Sequence, residues 1–359
     1  MSALRQVPLY KFCINAKQWQ AVTTPKNETA LSESPDAASN MMRRLTCMTY
    51  NVFSGALSKS VPHATHRTRH AIDLLARSKC DVIALQEVSP AFEQALRREA
   101  WLRQDWHLTS LRDYFETASG PNSNRSDQDG CIMAVKRAIL DTGTCAHMTA
   151  LPGDQGKVLI MIRAANGIHF VTSHFESLAS SERTRLHQYE KTSALLKDVP
   201  TAIILADFNH SSYGELKSLV GPVRPPASAS GLFTDCAVVN HETTKSQTSK
   251  PSTLDPLRDY ATFGELYPFF EGSRRREKRK PRRLDIVLAR GDNLKLVKLW
   301  TDGSKPVQID KRDRPHNVVK DSQAAKQKSY KVKLRCQQGK GGNLYASDHL
   351  AVLATFDIT

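Results

Sequence analysis

Apolar positions along this chain gather in short runs separated by polar or helically spaced stretches. "LTCMTYN" (45–51), "DVIALQE" (81–87), "GCIMAV" (130–135), "KVLIMIRA" (157–164), "IHFVTSH" (168–174) and "TAIILAD" (201–207) have strand length and predict buried strands. "HLAVLATFDI" closes the chain as one more. Between the early strands, "HRTRHAIDLLARSK" sets Ile72, Leu75 and Ala76 at helical spacing. Ser89 and Pro90 open a second helical stretch, "SPAFEQALRREAWLR", with Pro where a first turn accepts it. "SERTRLHQYEKTSALLKD" predicts a helix before "TAIILAD". Strand and helix alternate, so an α/β domain is expected.

Punctuation sets the organisation. Residues 1–42 read as an N-terminal extension in which "PLYKFCINAKQWQAV" holds an edge strand and "TTPKNETALSESPDAASN" a flexible linker. Residues 43–359 read as one catalytic domain with polar insertions at about 238–283 and 303–343. Composition adds two constraints. No apolar run reaches the roughly 18 residues of a membrane helix, so no membrane partner is expected. The seven cysteines include no C-x-x-C, which argues against a disulfide framework or a zinc site. A net charge of +15 suits a protein that handles polyanions.

The ends of the strands carry the chemistry. Asn51, Glu87, His174 and Asp207 close four of them, Asp285 opens "DIVLA", and Asp348 with His349 introduces the last. In "ILADFNHSSYG" Asp207 and Asn209 stand two residues apart, so an extended chain would turn both toward one spot. Each position alone has an ordinary reading as a cap or turn; six strands presenting such groups together form a pattern. Carboxylates without a cysteine cluster suit a hard cation such as Mg²⁺, with Mn²⁺ the alternative, which polarises a phosphoryl oxygen. That chemistry is a phosphoesterase's.

"TYN", "LQE", "ADFN", "RRLD" and "SDH", in this order, resemble the motif set of the Mg²⁺-dependent endonuclease/exonuclease/phosphatase superfamily. The resemblance implies a four-layer α/β/β/α sandwich. "VTSHFESLASSERTRLHQ" is similar to the corresponding segment of the tyrosyl-DNA phosphodiesterase 2 group. Departures from that group are Tyr50 for Trp, Ala206 for Gly, Phe208 for Thr, and "HSS" where it has Leu-Arg-Asp. By this resemblance Glu87 is the metal ligand, with Asn51 beside it and Asp348 helping through water. Asp207 would orient or deprotonate the attacking water and Asn209 position it. His349, paired with Asp285, and His174 would stabilise the charge on phosphorus-bound oxygens. Ser177 would add a phosphate hydrogen bond, and Thr262 and Phe263 of "DYATFGEL" would line the substrate groove. Asp235 is expected to be structural.

The expected function is removal of 5′-tyrosyl adducts from DNA ends, single-stranded or frayed. A less selective nuclease of the abasic-endonuclease, deoxyribonuclease or deadenylase type, with RNA as the polyanion, is the enzymatic rival; a catalytically dead nucleic-acid-binding module is the other. "RRREKRKPRR" (274–283) reads as a nuclear-localisation signal, a nucleic-acid grip or a solvated loop. A nuclear monomer is expected, with cytoplasmic and mitochondrial locations as alternatives.

Overall fold

Two sheets arise from the apolar runs because each central strand is buried on both faces. In a computed structural model, residues 4–22, 44–54, 64–119, 129–220, 232–240, 261–263, 282–303 and 347–359 are described. The strands in chain order are β1 (Arg5–Val7), β2 (Tyr10–Cys13), β3 (Gln18–Ala21), β4 (Arg44–Asn51), β5 (Val82–Val88), β6 (Trp106–Leu108), β7 (Gly130–Lys136), β8 (Ala146–Ala150), β9 (Val158–Arg163), β10 (His169–Thr172), β11 (Ala202–Asp207), β12 (Thr234–Asp235), β13 (Asp285–Arg290), β14 (Leu294–Asp302) and β15 (Ala351–Ile358). The α-helices that lie wholly among the described residues are α1 (Ala64–Arg77), α2 (Pro90–Arg97), α3 (Ala100–Asp105), α4 (Leu111–Ser119) and α5 (Glu182–Leu195). One sheet runs β1-β8-β9-β10-β11-β13-β12 and the other β14-β15-β4-β5-β7-β6-β2-β3. Both are mixed: β4 pairs β5 and β10 pairs β11 in parallel, and the other pairs are antiparallel.

Period-two alternation sorts the side chains into layers. Leu45 and Cys47 of β4, Val82 and Ala84 of β5, Phe170 of β10, Ile203 and Leu205 of β11 and Val287 of β13 meet in a core between the sheets. Met48, Tyr50, Ile83 and Leu85 face the other way, against Ile72 and Leu75 of α1 and Phe92 and Leu96 of α2. Val171, Ile204 and Ile286 pack outward against Tyr189 of α5 and against Leu196. Three apolar interfaces between four layers make the α/β/β/α sandwich. Each fully buried Leu, Ile or Phe among them contributes roughly 1.5–3 kcal/mol.

The N-terminal segment does more than supply an edge strand. β1 joins one sheet through β8, while the β2–β3 hairpin extends the other through β6. Arg97 fixes that hairpin, its guanidinium lying 5.4 Å from the Tyr10 ring centroid and 5.1 Å from that of Trp19. The helix expected over 89–103 is two: Ser89 caps α2 through Phe92 N, and the chain is extended at Glu99 before α3 begins. No helix among the described residues is long and apolar enough to cross a membrane. The cationic stretches at 274–281 and 304–343 lie outside the described residues.

Candidate active site

Continuing the inward-facing period of each strand beyond the apolar core leads to polar residues at one end of the sandwich. Leu45 and Cys47 are followed on that face by Thr49 and Asn51, Phe170 by Thr172 and His174, Ile203 and Leu205 by Asp207, while Val287 is preceded by Asp285. Asp207 and Asp285 are register partners across β11 and β13, and His174 forms a β-bridge with Asp207. The rigid sheets thus place these side chains together.

Glu87 needs a further device, since simple alternation would send it outward with Ile83 and Leu85. The β5–β7 register shifts between Leu85 and Val88, and Glu87 takes φ +54°, a conformation rare for a side chain of its size. That bulge re-aims the carboxylate. Gln86 meanwhile crosses between the sheets, its Nε2 donating to Thr172 Oγ1 at 3.0 Å. Phe53 (φ +45°) and Asn209 (φ +50°) are strained in the same way within two residues of Asn51 and Asp207.

Asn51 is the hub. Its Nδ2 donates to Glu87 Oε1 at 3.0 Å and to Asp207 Oδ2 at 2.9 Å, and its Oδ1 accepts the Phe53 N–H at 3.0 Å. The other Asp207 oxygen accepts the Asn209 N–H at 3.0 Å. Here the extended-chain expectation fails. Asn209 is left-handed, and its side-chain amide donates to the Phe175 carbonyl at 3.0 Å instead of sharing the direction of the Asp207 carboxylate. His174 Nε2 lies 3.7 Å from Asp207 Oδ2 and 4.0 Å from Glu87 Oε1. His349 Nδ1 sits 2.7 Å from Asp285 Oδ2. The turn before it is latched by Ser347, whose hydroxyl donates to the Asn51 carbonyl at 2.7 Å and accepts the His349 N–H at 3.1 Å.

Burial and neighbouring charge set the protonation states. Glu87 is pushed up to about 8 by burial, then by Asp348 and Asp129. Burial also raises Asp348. Burial and the Lys157 ammonium lower His174 to about 3, so it is neutral at physiological pH. Burial alone would lower His349 as well, but Asp285, with Asp348 and Asp207, outweighs it and holds the ring protonated. Burial works to raise Asp207, yet the protonated His349 and the hydrogen bonds from Asn51 and Asn209 outweigh it and hold the carboxyl below its ordinary value.

Three other expected residues fall differently. Ser177 directs its hydroxyl to Gln155 Oε1 at 3.0 Å, and among the described residues no hydrogen bond joins it to the cluster. Thr262 is 2% exposed; its oxygen accepts the N–H groups of Leu284 and Asp285, each at 3.1 Å. It latches the start of β13. Phe263 is half-buried, its ring centroid 5.1 Å from that of His349. Asp235 is tied to Arg283 through both carboxylate oxygens inside the fold, as a structural aspartate should be.

Sequence reasoning missed Lys157, Asp129 and Arg67. Lys157 is 7% exposed at the entry to β9, and its charge acts on His174, Glu176 and Asp129. The signal was a lysine directly before an apolar strand. Arg67, buried on α1, donates to the Phe53 carbonyl at 3.1 Å and so braces the loop after Asn51.

Two groupings could hold a cation. Ligand atoms of Asp207, Asp285 and His349 lie within 4.8 Å of one another, but the Asp207 oxygens and His349 Nδ1 are already hydrogen-bonded. Glu87 differs: among the described residues its one side-chain hydrogen bond comes from Asn51, and its raised value marks a partly buried carboxylate that a nearby positive charge would relieve.

A model of the Endonuclease/Exonuclease/phosphatase family matches residues 48–349. Among solved structures, D. rerio TDP2 complexed with single strand DNA product is 17% identical, covering 88% of this chain and 99% of that chain with a TM-score of 0.53. The human Nocturnin catalytic domain with bound sulfate anion is 14% identical, covering 89% and 96% with a TM-score of 0.55. A family protein from Bacteroides vulgatus is 12% identical, covering 89% and 100% with a TM-score of 0.52. Comparison with curated proteins gives no match.

Proposed function

Because the chain belongs to the endonuclease/exonuclease/phosphatase family, we propose that it is a divalent-metal-dependent phosphodiesterase that removes 5′-tyrosyl adducts from DNA ends. The observation that carries this reading is the Asn51 amide, which joins the partly buried Glu87 and the buried Asp207 carboxylates in one network. A binding module has no need of that arrangement.

Glu87 would hold the cation, with Asp348 close enough to act on it electrostatically, and a bound cation would neutralise charge on the scissile phosphate. Asp207, kept ionised, accepts the proton of the attacking water, and the Asn209 backbone fixes its carboxylate. His349, protonated and oriented by Asp285, stabilises the charge that develops on the phosphoryl oxygens. Neutral His174, a weak base at this value, contributes hydrogen-bonding capacity and leaves the proton of water to Asp207. A tyrosine phenolate, with a pKa of about 10, leaves with little protonation, which suits a site whose second histidine is neutral. Repair of DNA ends also fits the net charge of +15.

A 5′-phosphotyrosyl oligonucleotide with Mg²⁺ should yield free tyrosine and an intact 5′-phosphorylated strand, while a duplex carrying an abasic site should remain uncut. Incision of the abasic duplex, or degradation of the strand, would instead favour the less selective nuclease.

The pH response of the metal-free protein follows from Glu87. Its folded value of about 8 exceeds the ordinary 4.5, so between these the folded chain holds a proton the unfolded chain has released. The stabilisation is complete below the lower value and disappears as pH rises through the upper one. In chelator, urea unfolding at pH 5, 7 and 9 should show the wild type losing stability relative to Glu87→Gln, and Mg²⁺ should reverse the loss. Parallel profiles would reject this assignment.

A further inference from the structure

The loop after Asn209, His210-Ser211-Ser212, carries no cation at physiological pH: burial, then Arg283, lowers His210 to about 4. A cation reaches it from elsewhere. Arg282 and Arg283 are neighbours that point oppositely: Arg283 turns inward to grip Asp235, while Arg282 is exposed and its Nη2 donates to the His210 carbonyl at 2.6 Å. A guanidinium has five N–H donors, and among the described residues this carbonyl is the one side-chain partner of Arg282 and no acid lies within ion-pairing distance.

Its backbone is fixed more firmly than its exposure suggests. Arg282 exchanges two hydrogen bonds of 2.9 Å with Phe263, and its carbonyl also accepts the Thr262 N–H at 2.9 Å. Phe263 bridges His349 as well as Arg282. Arg282, Phe263 and His349 therefore follow one another across a short ladder, and the guanidinium crosses from that ladder to the residue next to Asn209.

We propose that Arg282 binds a second phosphate of the substrate strand, beside the one attacked. A planar fork with unused donors is suited to phosphate oxygens. Arg282 is thus a specificity-determining residue that selects a strand over an isolated phosphate ester. This inference rests on the phosphodiesterase reading.

The test compares two chromogenic esters with the same scissile bond: p-nitrophenyl thymidine 5′-phosphate, and the same ester extended by one 3′-linked nucleotide. In the wild type the longer ester should have the lower KM. Arg282→Ala should remove about tenfold of that KM ratio, and Arg282→Lys should restore part of it. A ratio retained in Arg282→Ala would overturn the proposal, whether both esters are impaired equally or neither is. In parallel, 5′-phosphorylated dithymidylate is titrated into Asp207→Asn with and without Arg282→Ala. Affinity should fall about tenfold and the dependence of log Kd on log salt should lose about one phosphate contact. If neither ester is hydrolysed by the wild type, the phosphodiesterase reading fails, and the titration alone decides Arg282: unchanged affinity and salt dependence would overturn it.

Discussion

Asp207→Asn should lower turnover of a phosphodiester about 10³-fold while changing strand affinity by no more than about twofold. Two effects combine in this isosteric change. The base that accepts the proton of water is lost. The new amide also offers a donor where Asp207 now accepts from both Asn51 Nδ2 and Asn209 N–H, so one of these two hydrogen bonds must break. Single-turnover hydrolysis and fluorescence anisotropy with a labelled strand measure the two quantities separately. A loss below tenfold, or equal losses of turnover and affinity, would remove Asp207 from the proposed role.

The second large effect is on stability. Arg185 on α5 is fully buried, and its Nε donates to Glu215 Oε2 at 2.8 Å. Its other nitrogens reach the carbonyls of Glu176 and Leu178 and the hydroxyl of Ser211. Glu215 Oε1 in turn accepts the Ser211 and Ser212 N–H groups. One buried ion pair therefore ties the loop after His174 to the loop after Asn209. Arg185→Ala leaves the Glu215 carboxylate without its charge partner and should cost about 3–5 kcal/mol, read from urea unfolding. The double change Arg185→Met, Glu215→Met should recover much of that, because the uncompensated charge is gone. A single-variant cost below about 1 kcal/mol would contradict this account.

Much of this was legible because strand-end polarity is a local property. Asn51, His174, Asp207 and Asp285 continue the inner-face period of apolar strands, so alternation alone aims them at one end of the sandwich. The order of "TYN", "LQE", "ADFN", "RRLD" and "SDH" then suggests the family. Glu87 was identified by its motif, yet its direction depends on a bulge that no alternation pattern contains. Asn209 deviates for a related reason: the Asp207 carboxylate captures its N–H and bends the chain out of the extended form. The part Thr262 plays at β13 was not legible because a Thr-aromatic pair says nothing of which backbone donors will claim the hydroxyl.

Long-range partners were the least visible. The N-terminal strands divide between the two sheets because their hydrogen-bonding partners, β8 and β6, lie far along the chain. The break between α2 and α3 has no Gly or Pro to announce it. Arg97, at the end of α2, is instead held by Tyr10 and Trp19 of the N-terminal hairpin. Lys157 looked like a strand flank until its neighbours Asp129, His174 and Glu176 were placed around it.

The most direct test of the central claim is hydrolysis of bis(p-nitrophenyl) phosphate by the wild type and by Glu87→Gln, each in chelator and in Mg²⁺ or Mn²⁺. The account predicts turnover by the wild type only when the metal is supplied, and its loss in Glu87→Gln at metal concentrations that saturate the wild type. Metal-independent turnover, or a Glu87→Gln variant as active as the wild type, would contradict a cation held by Glu87 as the basis of catalysis.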